Sequence, residues 1–309
     1  MWPLAGGVYL GWALGSNDAA NVFGTAVASG VVRFWRAALL CAAGVVVGAV
    51  LQGGPGIETL SGLTEQTGST VLIVTVSAAV TVSVMTLARL PISTSQAVVG
   101  AITGIGLATE RMNWAGIVKV VVCWVSTPLG ALVFSIAVYH LLHLFFRLVP
   151  MGILTRDRLL VGGLIVVGTY GSYALGANNV ANVTGVFSGQ IAGVSDRELA
   201  LIGGAAIALG VITYSRRVML SVGTRIVRLN AFTAFIAVLA MAVTVHIFAV
   251  IGVPVSTSQA IVGAIVGVGI VHGVYNVRLR MLRDIGVGWL LTPLVALVLS
   301  AAGYAVFTP

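Results

Sequence analysis

Charge is what this chain has least of. Only 8% of its 309 residues are Asp, Glu, Lys or Arg, against about 25% in soluble domains. So few charges cannot cover the surface of a soluble fold, which excludes a soluble enzyme, a soluble DNA-binding protein and a disordered chain. Cysteine is nearly absent as well. Cys41 and Cys123 both lie in apolar stretches, which argues against a disulfide framework or a thiolate zinc site. The N-terminal Met-Trp-Pro-Leu lacks the basic start of a signal peptide, so the first apolar segment is expected to be retained as a span. The net charge is +8, but the 16 basic residues are scattered through short loops with no basic cluster. That distribution points to no nucleic-acid partner and fits the positive-inside bias. Apolar residues make up 59% of the chain, and glycine is abundant at 39. The composition therefore predicts an all-α polytopic membrane protein embedded in the lipid bilayer.

The chain divides into ten apolar segments: 2–30, 37–54, 69–88, 91–109, 114–146, 159–192, 199–214, 230–251, 254–275 and 285–307. The first, fifth and sixth exceed the ~20 residues of a straight crossing and are expected to be broken or tilted. Basic-rich loops (Arg33 and Arg36; Arg89; Arg147, Arg156 and Arg158; Arg216, Arg217, Arg225 and Arg228; Arg278, Arg280 and Arg283) alternate with basic-poor ones. The alternation predicts ten crossings with both termini outside.

Internal duplication is the clearest pattern. Residues 13–24, ALGSNDAANVFG, match residues 174–185, ALGANNVANVTG, at eight of twelve positions. Residues 91–107, PISTSQAVVGAITGIGL, match residues 254–270, PVSTSQAIVGAIVGVGI, at twelve of seventeen. A weaker pair is Trp124-Val-Ser-Thr-Pro-Leu against Trp289-Leu-Leu-Thr-Pro-Leu. Five crossings per half is an odd number, so the second half is expected upside-down relative to the first. The division is 1–146, a cytoplasmic linker at 147–158, and 159–309. Inverted-topology repeats are common in secondary transporters, with the site near the midplane.

The duplicated parts are polar. Asn17, Asp18, Asn21 and Thr25 share one helical face, and Gly15 and Gly24 bracket them as points of local unwinding. Asp18 is the only acid well inside a predicted span, and a lone carboxylate in a membrane needs a cation, a proton or a functional reason. In the second motif, proline opens a helix whose first turn carries Ser93, Thr94 and Ser95, or Ser256, Thr257 and Ser258. One such copy reads equally as an ordinary Ser/Thr cap. Two copies in opposed halves suggest an oxyanion between two helix N-termini. By simple counting these starts fall near the membrane surfaces, so segments three-four and eight-nine are expected to be re-entrant or broken. Lys119 is expected to snorkel, and Trp114, Trp124 and Trp289 to anchor or pack. His140, His143 and His246 offer a proton relay or ordinary packing. Thr127-Pro128 and Thr292-Pro293 read as paired kinks that could line a cavity. An anion channel and a membrane enzyme such as a lipid phosphatase are the competing classes. The latter lacks a His/Asp/Arg or Cys constellation inside the membrane.

These motifs resemble the inorganic phosphate transporter (PiT, or phosphate permease) family, whose signature pairs Gly-(Ala/Ser)-Asn-Asp-x-Ala-Asn with Pro-x-Ser-Thr-(Ser/Thr) in each of two inverted halves. The resemblance covers essentially the whole chain. It implies a plasma-membrane (inner-membrane) symporter, not an enzyme, that imports inorganic phosphate with co-transported Na+ or H+. A sulfate permease of the same family is the alternative. By position, Ser93, Thr94, Ser95, Ser256, Thr257 and Ser258 would bind the anion. Asn17, Asp18, Asn21, Asn178, Asn179 and Asn182 would hold the cation or complete the anion shell, as would Gln96 and Gln259. A second copy of the chain, as a homodimer, is one possible partner. There are two departures from the pattern: Asn179 stands where the second motif usually has Asp, and the linker between halves is short. The missing acid weakens selection for a protonated anion, since hydrogen phosphate can donate a hydrogen bond and sulfate cannot.

Overall fold

A computed structural model of the chain describes residues 2–87, 92–222, 230–271 and 279–308. The helices are α1 Trp2–Ala28, α2 Phe34–Gln52, α3 Gly54–Ser61, α4 Gly68–Leu87, α5 Thr94–Ala108, α6 Trp114–Leu148, α7 Ile153–Thr184, α8 Asp196–Val222, α9 Ala231–Ile251, α10 Thr257–Val271 and α11 Leu279–Phe307. A 3-10 turn at Gly185–Phe187 ends α7. No strand occurs among the described residues. Seven of these helices are long and apolar enough to cross a membrane, and the chain is a multi-pass membrane protein. Pro91, Arg89, Arg225, Arg228 and Arg278, named above for topology and helix start, lie outside the described residues.

Each of the ten expected segments has a helix, and three features bear on the expectations. First, α1, α6 and α7 run unbroken for 27, 35 and 32 residues. Helices of that length accommodate a bilayer by tilt and overhang, not by interruption. The overhang absorbs the linker: α6 reaches Leu148 and α7 starts at Ile153, leaving only 149–152 outside helix. Second, the break expected between segments eight and nine is present. α5 and α10 are only 15 residues long. α9 stops at Gly252, whose φ of 80° is a left-handed C-cap that glycine adopts without strain, and residues 253–256 form a non-helical lead into α10. Third, α3 was not expected.

Glycines explain the close packing. The motif glycine of α1, Gly15, has no room for a Cβ because the Ile207 carbonyl of α8 occupies that place. Its duplicate Gly176 on α7 meets the Val45 carbonyl of α2 in the same way. Reciprocally, Gly210 lies on the Trp12 carbonyl and Gly48 on that of Tyr173. The α5–α11 and α6–α10 contacts repeat the scheme, with Gly100 on the Pro293 carbonyl and Gly263 on that of Pro128. In lipid, helices associate through such backbone-close contacts of small residues. Gly15 thus serves packing, not unwinding, and α1 continues through Gly24 as helix. The kink threonines serve their own helices: Thr127 Oγ1 donates to the Cys123 carbonyl and Thr292 Oγ1 to that of Gly288, both at 2.6 Å.

Two large buried clusters fill most of the interior, and a smaller third holds Val138, Leu160, Phe232, Ile236 and Val268. One gathers Val74, Ala78, Ile102 and Ile105 of α4 and α5. The other lies where α1 meets α7, α8 and α9, around Phe23, Leu175, Ile207 and Met241. Apolar rows on α6 (Val118, Val122, Val125) and α11 (Leu290, Leu294, Val298) are exposed, as a lipid-facing surface requires.

Valine at Gly176 would drive its side chain into the Val45 backbone, whereas alanine at Gly162 meets nothing within 4 Å. Thermal unfolding in detergent is expected to show Gly176→Val destabilised by about 3 kcal/mol and Gly162→Ala within about 0.5 kcal/mol of the parent.

Candidate functional site

The close packing of α1 on α8 and α7 on α2 brings the two asparagine motifs face to face across the molecule, and the N-termini of α5 and α10 meet them. Asn178, Asn179 and Asn182 fall on neighbouring positions of one helix surface, because three- and four-residue spacings return to the same face.

One connected network joins the four motif copies. Asp18 Oδ2 accepts from Thr257 Oγ1 at 2.9 Å and from Asn179 Nδ2 at 3.2 Å. Asn179 Oδ1 accepts from Asn178 Nδ2 at 2.8 Å and Asn182 Nδ2 at 3.1 Å. Asn182 Nδ2 also donates to Ser95 Oγ at 2.9 Å, and Ser95 Oγ donates to the Val255 carbonyl at 3.0 Å. Asn178 clamps Val255 twice, accepting from its N–H at 2.9 Å and donating to its carbonyl at 2.7 Å. On the other side Asn21 Nδ2 reaches Thr257 Oγ1 at 3.3 Å and Ser258 Oγ at 3.2 Å. The first-half serine thus meets the second-half asparagines, and the second-half threonine meets the first-half acid.

Ser93 and Ser256 act as N-caps, accepting from Gln96 N at 3.4 Å and Gln259 N at 3.2 Å. A cap uses the oxygen lone pair and leaves the O–H free to donate. Asn17 is half-buried and makes no hydrogen bond to the network among the described residues, unlike its duplicate Asn178. Thr94 Oγ1, Gln96 Oε1, Asn182 Oδ1, Gln259 Oε1 and Thr25 Oγ1 are buried without a partner among the described residues. Buried polar atoms are nearly always paired, and each orphan costs about 1–3 kcal/mol. Thr94 and Gln96 adjoin Ser95 in sequence, and Asn182 is bonded to Ser95 through its Nδ2. An oxygen-only donor set of this kind fits a hard cation, while the free hydroxyls and helix N-termini fit an oxyanion.

Burial is uneven across the site. Asp18, Asn178, Asn179, Asn182 and Ser93–Gln96 are buried, whereas Asn17, Asn21, Thr25 and Ser258 are half-buried. The open face follows α1 toward its C-terminal end, near the exposed Arg33. On the opposite side α3 closes over α7, with Gly56 against Ala181 and Leu60 against Gly185. The clamp on Val255 could not be foreseen, because main-chain groups leave no trace in residue type.

The phosphate transporter family model matches residues 14–162 and again 155–300. The sulfate permease CysP of Bacillus subtilis is 32% identical over 310 residues, covering 95% of this chain and 86% of that one. A Methanocaldococcus jannaschii protein provisionally named a phosphate permease is 28% identical over 292 residues, covering 94% and 92%. A solved structure titled the sodium-dependent phosphate transporter superposes with a TM-score of 0.86 at 24% identity, covering 99% of each chain, and so has the same fold.

Asn178→Ala would orphan the buried Val255 N–H and leave the Val255 carbonyl with the Ser95 hydroxyl alone. A loss of about 3 kcal/mol in thermal stability is expected, and Asn178→Asp, which keeps the acceptor for the Val255 N–H, should lose less.

Proposed function

The chain belongs to the phosphate transporter family, and on that premise we propose that it is a symporter importing inorganic phosphate together with Na+ or H+. The observation that carries this reading is the network in which the hydroxyl-bearing starts of α5 and α10 bond across to Asn182 and Asp18 of the opposite motifs. Ser93, Thr94, Ser95, Ser256, Thr257 and Ser258 donate to the anion, supported by the N-terminal dipoles of their helices. Asp18 and the amide oxygens of Asn17, Asn21, Asn178, Asn179, Asn182, Gln96 and Gln259 hold the cation or complete the anion shell. No Arg or Lys lies in these motifs, so the cation neutralises the anion and leaves with it. The two halves, 1–146 and 159–309, are inverted repeats in the plasma membrane with both termini outside. Rocking of one helix bundle against the other then exposes the site alternately. On that orientation the open face along Asn21 and Thr25 is the inward one.

A second reading, sulfate import, is favoured by Asn179. The residue donates its amide to Asp18 where an acid would instead accept from a protonated anion.

Uptake of labelled phosphate and sulfate into proteoliposomes, under imposed Na+ and pH gradients in turn, tests both readings. Asp18→Asn is expected to reduce coupled uptake about 100-fold without altering the elution of the folded protein. Parent-level uptake would refute the role of Asp18. Asn179→Asp is expected to shift the phosphate-to-sulfate ratio about tenfold toward phosphate, and an unchanged ratio would place Asn179 outside the anion shell.

A further inference from the structure

About one and a half turns before Asn178 on α7, a second polar cluster lies apart from the four motifs. Tyr170 Oη is 2.6 Å from His246 Nδ1 on α9, and His246 Nε2 is 2.7 Å from Gln52 Oε1 at the end of α2. Tyr173 Oη donates to the same Gln52 oxygen at 2.9 Å. Both phenol rings pack against the imidazole, with centroids at 5.4 and 5.5 Å. A carboxamide oxygen only accepts, so His246 Nε2 carries a hydrogen and Nδ1 receives the Tyr170 O–H. The imidazole is thus held at both nitrogens with one lone pair still able to take a proton.

The duplicated positions in the other half are Tyr9, Trp12, Ser83 and Tyr214. There Tyr9 Oη pairs with Ser83 Oγ at 3.0 Å, and Trp12 packs on Tyr214 at 5.6 Å. Both halves therefore keep a tyrosine bond at this place, but only one builds it on an imidazole.

We propose that the Tyr170–His246–Gln52–Tyr173 cluster is a proton-binding site, distinct from the anion site, whose occupancy sets the pH dependence of transport. Its consequence for transport rests on the symporter reading above. One proton adds to Nδ1 and forms one N–H bond. The Tyr170 hydroxyl rotates off the ring, and its oxygen accepts from the new N–H. The Nε2–H bond to Gln52 is kept, so the ring is satisfied in both states and differs by one positive charge. Histidine is the side chain whose ordinary charge change falls between about pH 5 and 8, and an ionisable group within membrane segments marks function by default.

The groups facing His246 from neighbouring elements are Tyr170 and Tyr173 of α7 and Gln52 of α2. α10 carries no titratable residue. Asp18 of α1 is engaged with Thr257 and Asn179, Glu58 of α3 is exposed, and on α6 Tyr139, His140 and His143 gather with one another, Tyr139 also packing on Phe232 near the start of α9. No Asp, Glu, Lys or Arg bonds to His246 among the described residues. Gly54 and Pro55, just beyond Gln52, are exposed. The link to the anion site is direct. α9 carries His246 and leads into Val255, while α7 carries both Tyr170 and Asn178. The Tyr170–His246 bond ties α7 to α9, and the Asn178 clamp ties α7 to the lead that follows α9.

His246→Ser copies the pair that the other half already accommodates, so the fold is expected to persist. In proteoliposomes, parent uptake of phosphate or sulfate should rise about fivefold from about pH 8 to pH 6. His246→Ser should stay flat across that range while matching the parent near pH 8, and Tyr170→Phe should displace the profile. A His246→Ser profile that superimposes on the parent overturns the proposal. A parent that takes up neither anion refutes the symporter reading instead, and the proton site is then judged by its own signal. In ring-15N-labelled protein in liposomes, one histidine resonance absent from His246→Ser should differ between about pH 8 and pH 6. A His246 resonance that stays fixed over that range overturns the proposal, whatever the transport result.

Discussion

A carboxylate cannot be left bare inside a membrane protein, and the arrangement around Asp18 follows from that constraint. Removing a charge from water without partners costs far more than any single contact returns. Asp18 Oδ2 is satisfied from two directions, by the hydroxyl of Thr257 and the amide of Asn179. Both donors come from the other half of the sequence. Asn179 is in turn held by Asn178 and Asn182, and Asn182 by Ser95. The first half's own serine closes the circuit. Neither duplicated half could satisfy its polar residues alone, which ties folding of the whole molecule to assembly of the site.

That circuit requires helices to approach more closely than ordinary side chains permit. Gly15, Gly48, Gly176 and Gly210 each lie on a carbonyl of the facing helix, and the polar residues are one turn or so away along the same helices. Packing and chemistry are therefore one design problem here: the glycines set the distance between backbones, and the asparagines bridge what remains.

The sequence makes the ten long segments and the four motif copies legible, because apolar length and duplication survive as residue types. The unbroken course of α1 through Gly15 and Gly24 was not legible, since glycine marks both a break and a close contact, and only the neighbour at Ile207 distinguishes them. α3 was hidden because GPGIETLS is short, polar and opened by glycine and proline, the composition of a loop. The capping role of Ser93 and Ser256 was one of two readings that the motif allows. The pairing of Tyr170 with His246 spans 76 positions and has no local pattern to betray it. Val255 contributes through its main chain, which every residue type possesses.

A glycine seated on a carbonyl also restricts how the molecule can deform. Sliding such a pair by a fraction of a turn would thrust the next side chain of α1 or α7 into the opposing backbone, so α1 with α8 and α2 with α7 behave as welded beams. Compliance is left to the short α10 and its non-helical lead at residues 253–256, pivoting at Gly252. A mechanical cycle built on this frame would bend at the hinges beside the hydroxyls and leave the beams straight.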